Sequence, residues 1–277
     1  MEQAPHIPSM SLFQALVLGL VQGLTEFLPI SSTAHLRIVP HFLGWEDPGA
    51  AYSATIQLGT LAAVFIYFAA DIKRLVSAAL LGLKERNFNY TDDTRQAWSI
   101  AVGTVPIAVL GLSFKDFIET EARGLEIIAT TLIVLALLLM VSERVGRQQG
   151  TIDRLGFWQI QFIGLCQALA LIPGCSRSGS TIMGGLFIGL KRADAARFSF
   201  LLGLPAIGAS GLLELLSLIK DGMPGEGLFN LGLGILAAAV SGYLSIGFLL
   251  RFLERRGTDL FSFYRIALGA LILRTLT

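Results

Sequence analysis

Gln22, Glu26, Ser31, Ser32, Thr33 and His35 fall within one run, GLVQGLTEFLPISSTAH, that spans residues 19–35 and is otherwise largely apolar. Gln22 and Glu26 are four apart and so share a helical face, one turn below a break at Pro29. A carboxylate there could hold a divalent cation, with Gln22 as a further ligand, or act as a base; the structural alternative is a pair that glues helices together. An ionised side chain at the centre of a bilayer costs roughly 2.5–3.5 kcal/mol on insertion scales, so such residues normally face a cavity in which they act. Ser31, Ser32 and Thr33 stand where the next helix would begin, the place where a hydroxyl caps orphan N–H groups. His35, three residues beyond Ser32, is within reach of the same pocket. His6 and His41 have no such company and read as structural hydrogen-bonders.

A second run supplies the complementary charge. Pro173-Gly-Cys-Ser176-Arg177-Ser178-Gly-Ser-Thr181 is a glycine-punctuated, hydroxyl-rich loop opening a helix. Unpaired N–H groups and the positive end of the helix dipole favour an anion there, and Arg177 adds a charged fork suited to phosphate. Arg177 could instead be tied to Glu26 in an ion pair, which would preorganise the site rather than exclude it. Together the two runs describe a phosphate-type anion pocket at mid-membrane, with a carboxylate, a histidine and serines beside it. They also echo each other. Gly-Leu-X-Gln-(Gly/Ala)-Leu leads to a proline and a serine in both, and Pro29, Ser32 and Leu58-Gly59 map onto Pro173, Ser176 and Leu202-Gly203 at a constant offset, so one unit reads as used twice.

The elements that must carry these residues are membrane helices. Hydrophobic residues make up 53% of the 277 and charged ones only 15%, against roughly one quarter charged in a soluble domain; the mean hydropathy is +0.67. The expectation is an all-α integral membrane protein, a single membrane domain over 1–277. A net charge of +1 gives no reason to expect nucleic acid. Cys166 and Cys175 are too few and too embedded in apolar sequence for a disulfide framework.

Residues 10–28 and 33–43 form two short helices broken at Pro29, and 158–172 and 180–190 form two more broken at 173–179. Each is too short to span alone, and broken backbone at membrane depth is tolerated only where protein buries it or it lines a cavity. Full spans are expected at about 50–70, 97–114, 125–143, 197–219, 228–250 and 260–276, with a polar loop over 71–96. Lysine and arginine put loops 71–96, 144–157 and 251–259 inside. Segments 115–124 and 220–227, carrying Asp116, Glu119, Glu121, Asp221 and Glu226, fall outside. The alternation closes if both broken segments are re-entrant, the first dipping in from outside and the second from inside. That predicts an inverted-topology repeat, about 10–143 and 157–277, with about six transmembrane helices and two re-entrant helix-loop-helix segments meeting at mid-membrane.

The two motifs, in this order, resemble those of a known family. Gln22-Gly-Leu-Thr-Glu26-Phe-Leu-Pro-Ile-Ser-Ser32-Thr with His35 is similar to the (E/Q)xxxE and SST-x-H signature of the bacterial undecaprenyl-diphosphate phosphatases of the bacitracin-resistance type, and Pro173 to Thr181 is similar to their PG-x-SRS-xx-T motif. The likeness reaches Phe198-Ser-Phe-Leu-Leu and Tyr264-Arg265. Gln22 occupies the variable first position, which argues against an essential base there, and Ala34 stands where the family usually has glycine. The resemblance implies hydrolysis of undecaprenyl diphosphate to undecaprenyl phosphate and phosphate with a divalent cation, Mg or Ca, recycling the carrier lipid of peptidoglycan synthesis and giving bacitracin resistance. It also implies a multi-pass protein of the bacterial inner membrane, its site open to the outer face, in contact with membrane lipid and a polyprenyl diphosphate; a homodimer is one assembly left open, since the sequence does not give the oligomeric state.

The expected roles are Ser32 as nucleophile or water-positioner with His35 as acid and base, Glu26 on the metal, and Arg177, Ser176, Ser178, Thr181 and Thr33 on the phosphate. In the alternative, His35 attacks or activates water directly and Ser32 only caps its helix. A polyprenyl-phosphate transporter or flippase is the rival function, inverted repeats being its usual home. A soluble-type acid phosphatase with paired histidines is excluded because no second histidine accompanies the Ser176-Arg177-Ser178 loop.

Overall fold

The computed structural model describes residues 10–220 and 225–276, so His6 and Asp221 lie outside the described residues. The chain is helical almost throughout. Two short helices, α1 (Leu12–Phe27) and α2 (Ser32–Leu43), meet at Pro29, and α9 (Phe157–Ala168) and α10 (Arg177–Phe187) meet around Pro173. Between and after them run α3 (Gly49–Tyr67), α4 (Ala69–Lys84), α5 (Asp92–Gly103), α6 (Val105–Ser113), α7 (Lys115–Glu119), α8 (Leu125–Val145), α11 (Arg192–Lys220), α12 (Gly225–Arg255) and α13 (Asp259–Leu276).

Among the described residues, five stretches are long and apolar enough to cross a membrane: α3, α5 with α6, α8, α11 and α12. The expected sixth, α13, forms as an 18-residue helix but carries Arg265 in its middle, which lowers its apolar content. The polar loop expected over 71–96 is corrected. Most of it is α4, whose Leu75, Ala78 and Gly82 are buried on one side. Charges at Asp71, Lys73, Arg74 and Lys84 masked that stripe in a reading by composition, although apolar residues at helical spacing are what bury a helix face. Arg74 bonds Asp93 of α5, closing an α4–α5 hairpin.

The interior is an apolar core with polar residues set into it. Gln22, Glu26, Ser32, His35, Gln167, Ser199 and Arg265 are buried, while Phe13, Leu20, Leu24, Leu112, Leu213, Phe229 and Leu244 stand on the outside. In lipid that distribution costs nothing on the outer face, because the tails are as apolar as the side chains. α1 lies against α12, and α9 against α5 and α6; α3 packs on α11 and α8 on α13. Phe27 of α1 meets Phe200 of α11 edge-on, with ring centroids 5.0 Å apart.

Candidate active site

Both breaks end in the same way. Ser31 (φ 74°) and Ser176 (φ 66°) cap α2 and α10, each accepting on Oγ an amide N–H from three residues ahead, that of Ala34 at 3.4 Å and that of Gly179 at 3.1 Å. Positive φ at a serine is sterically costly and persists only where the surroundings impose it. Ser31 Oγ lies 3.1 Å from Thr33 Oγ1, and Ser176 Oγ 3.2 Å from Ser178 Oγ. The register expected from the repeat is therefore off by one at this point: Ser176 corresponds to Ser31, and Arg177, not Ser176, corresponds to Ser32. The second break has one more residue between proline and cap, and Gly174 (φ 95°) absorbs it in a backbone state open to glycine.

That correspondence puts Ser32 and Arg177 at the first positions of two helices whose N-termini face Glu26. Glu26 is 5% exposed. Its Oε2 accepts from Ser32 Oγ at 2.5 Å and from Gln22 Nε2 at 2.9 Å, and its Oε1 accepts from Arg177 Nη2 at 3.1 Å. Three donors from three elements thus compensate the carboxylate, as burial of a charge requires. Arg177 also donates from Nη1 to the carbonyl of Ser199 on α11 at 3.1 Å, and a Cβ at Gly203 would overlap its guanidinium. Thr181 Oγ1 meets Ser199 Oγ at 2.5 Å, and Ser178 donates to the Leu28 carbonyl across the two breaks at 3.0 Å. Among the buried side-chain atoms without a hydrogen-bond partner are Arg177 Nε and Gln22 Oε1, both in residues bonded to Glu26. An orphan donor on the guanidinium is what an arriving phosphate oxygen can satisfy.

Of the residues expected at the site, Gln22, Ser32 and Arg177 contact Glu26, whereas Thr33, Ser176, Ser178 and Thr181 bond within or across the two breaks, and the expected pairing of Ser32 with His35 is corrected. Ser32 and His35 make no hydrogen bond to each other. Ser32 turns back to Glu26, whereas His35 Nδ1 lies 2.7 Å from the Ser31 carbonyl and Nε2 lies 2.7 Å from the Tyr264 hydroxyl. On a helix the side chain leans toward the N-terminus, so the hydroxyl at the first position points out of α2 while the ring three residues on lies along its flank.

Three residues without an expected role belong to this assembly. Ser199 receives Arg177. Tyr264 receives His35. Arg265, 0% exposed, donates to four backbone carbonyls: Pro29 of the first break (3.2 Å), Gly174 and Cys175 of the second (2.9 and 3.1 Å) and Leu132 of α8 (3.2 Å). Those at the breaks are carbonyls that the ended helices leave unpaired, and only a planar fork with five N–H groups reaches so many. An arginine inside a membrane helix was a visible signal, but nothing in the sequence said what it would bind.

Were a divalent cation to bind here, Glu26 and Gln22 are the residues that would hold it. Among the described residues no three of His, Cys, Asp and Glu converge, so the protein builds no complete cage. Glu26 and the orphan Gln22 Oε1 offer hard oxygen ligands, a set that suits an ion sharing its remaining positions with substrate phosphates.

Residues 15–271 match the family model of the bacitracin resistance protein BacA. The chain belongs to this family. Among BacA-family relatives, undecaprenyl-diphosphatase of Chloroherpeton thalassium is 52% identical over 97% of this chain and 98% of its own. That of Chlorobaculum tepidum is 53% identical over 94% and 95%, and that of Myxococcus xanthus 54% identical over 95% and 89%. Both broken segments lie inside the BacA match, so the Glu26 assembly is part of the shared region.

Proposed function

We propose that the protein hydrolyses undecaprenyl diphosphate to undecaprenyl phosphate and inorganic phosphate, returning the carrier lipid to peptidoglycan synthesis and so conferring bacitracin resistance. The observation that carries the proposal is the buried Glu26 carboxylate, receiving both Ser32 and Arg177 from opposed helix N-termini. The relatives are named for a hydrolase, so the transport reading is set aside.

In the reaction, Arg177, the N–H groups opening α10, and the hydroxyls of Ser176, Ser178, Thr181 and Thr33 bind the diphosphate. Ser32 Oγ attacks the terminal phosphorus in line with the bridging oxygen. Its proton passes to Glu26, the bond from phosphorus to the bridging oxygen breaks, and undecaprenyl phosphate departs with that oxygen. Water then attacks the phosphoserine, the bond from phosphorus to Oγ breaks, and the serine regains a proton as phosphate leaves. His35, held on both nitrogens, is the base for that water rather than for Ser32. A bound divalent cation, held by Glu26 and Gln22, would neutralise charge on the transferring phosphoryl group. The lysine and arginine pattern supports an inner-membrane protein whose site opens to the outer face.

Phosphate release from a polyprenyl diphosphate by the purified protein, with and without a chelator, tests the proposal; no release under either condition defeats it. Glu26→Gln should lower the rate and also flatten its dependence on added cation. A lowered rate with an unchanged cation response would confine Glu26 to proton transfer.

A further inference from the structure

Tyr264 reaches His35 from the other end of the chain. The two rings lie nearly coplanar, edge to edge, with centroids 5.7 Å apart and planes 8° apart, and the phenol oxygen lies 2.7 Å from Nε2. The second ring nitrogen, Nδ1, lies 2.7 Å from the Ser31 carbonyl. A carbonyl can only accept, so Nδ1 carries the hydrogen. In a neutral imidazole Nε2 is then the acceptor and the phenol the donor. The tautomer of His35 and the direction of its ring are thereby set by one contact at each nitrogen.

We propose that Tyr264 is a positioning residue for the phosphatase reaction, acting through His35; this rests on the phosphatase reading above. Its hydroxyl holds Nε2, the one basic nitrogen, in line with the pocket and keeps it an acceptor until water takes the phenol's place. His35 sits on the first break, whereas Tyr264 sits beside Arg265, whose guanidinium binds both breaks. The pair Tyr264-Arg265 therefore ties the orientation of the histidine to the position of the phosphate loop. Tyr264 is 44% exposed while His35 is buried, so the tyrosine forms the outer side of the contact.

Tyr264→Phe separates this role from packing, because phenylalanine keeps the ring and its contacts within α13 and loses only the hydroxyl. The full-length protein in detergent is treated with diethyl pyrocarbonate, which modifies free neutral imidazole nitrogens, and His35 is followed by peptide mass mapping with the exposed His41 as internal reference. In the variant, modification of His35 relative to His41 should rise about tenfold, and kcat for phosphate release from farnesyl diphosphate should fall about tenfold with KM little changed, as for loss of an acid–base alignment. Unchanged His35 reactivity overturns the proposal, as does an unchanged kcat. So does a fall in kcat matched by changes in KM and melting temperature, which would make Tyr264 a packing residue. If the wild type releases no phosphate, the phosphatase reading fails while the modification arm still reports on the Tyr264 contact.

Discussion

Arg177 does three things with one guanidinium: it balances Glu26, anchors to the Ser199 carbonyl, and keeps Nε free for a ligand. Lysine would retain the charge and lose the fork. Arg177→Lys should therefore fold and insert while turnover falls about 100-fold, roughly 2.7 kcal/mol of transition-state stabilisation; steady-state phosphate release measures it, and near-normal turnover would place the phosphate elsewhere. Ser31 and Ser32 divide the two roles that a serine at a helix start can have. Ser31 is the cap, so Ser31→Ala should cost about 1 kcal/mol of stability. Ser32 faces Glu26, so Ser32→Ala should abolish turnover while lipid binding persists. Retained turnover in Ser32→Ala would transfer the attack to water activated by His35.

At the level of elements, the site depends on two breaks staying in register, and α13 is what spans them. Arg265 satisfies carbonyls on both breaks and on α8 from one side chain. A lysine could serve fewer of them from a single nitrogen and would leave buried carbonyls unpaired. Bonds from charged donors are worth about 1.5–3 kcal/mol each, so Arg265→Lys should lower stability by about 2–3 kcal/mol in detergent unfolding. Activity should fall with it, since both anion-binding N-termini would loosen. The proline breaks and the arginine were visible in the sequence. Their connection was not, because hydrogen bonds to backbone carbonyls leave no mark on the identity of the accepting residues.

The whole molecule raises the question of orientation. In the structure α1 packs against α12, α9 against α5 and α6, α3 against α11 and α8 against α13, and the sequence echo is what proposes a duplicated unit. Its inversion across the membrane rests on the loop charges. Cysteines at the exposed positions Asn89 and Gln149 should be shielded from an impermeant thiol reagent in intact cells, and one at the exposed Thr120 should label. Labelling at Asn89 would overturn the inverted arrangement.

The membrane class, the broken helices, and the residues Glu26, Ser32, His35 and Arg177 were determined by sequence alone, because hydropathy over a span and polar residues within it are local properties of the chain. The helix α4 was legible too, but only by spacing, since its charges hide it from composition. What the tertiary structure decided was who faces whom. It assigned the cap to Ser31, gave Ser32 to Glu26 and His35 to Tyr264, and brought Arg177 opposite Ser32 through one added residue at Gly174. These partners are set by how helices distant in sequence rotate and pack against one another, and a shift of a single position at a helix start turns a side chain by about 100°. No local pattern carries that angle.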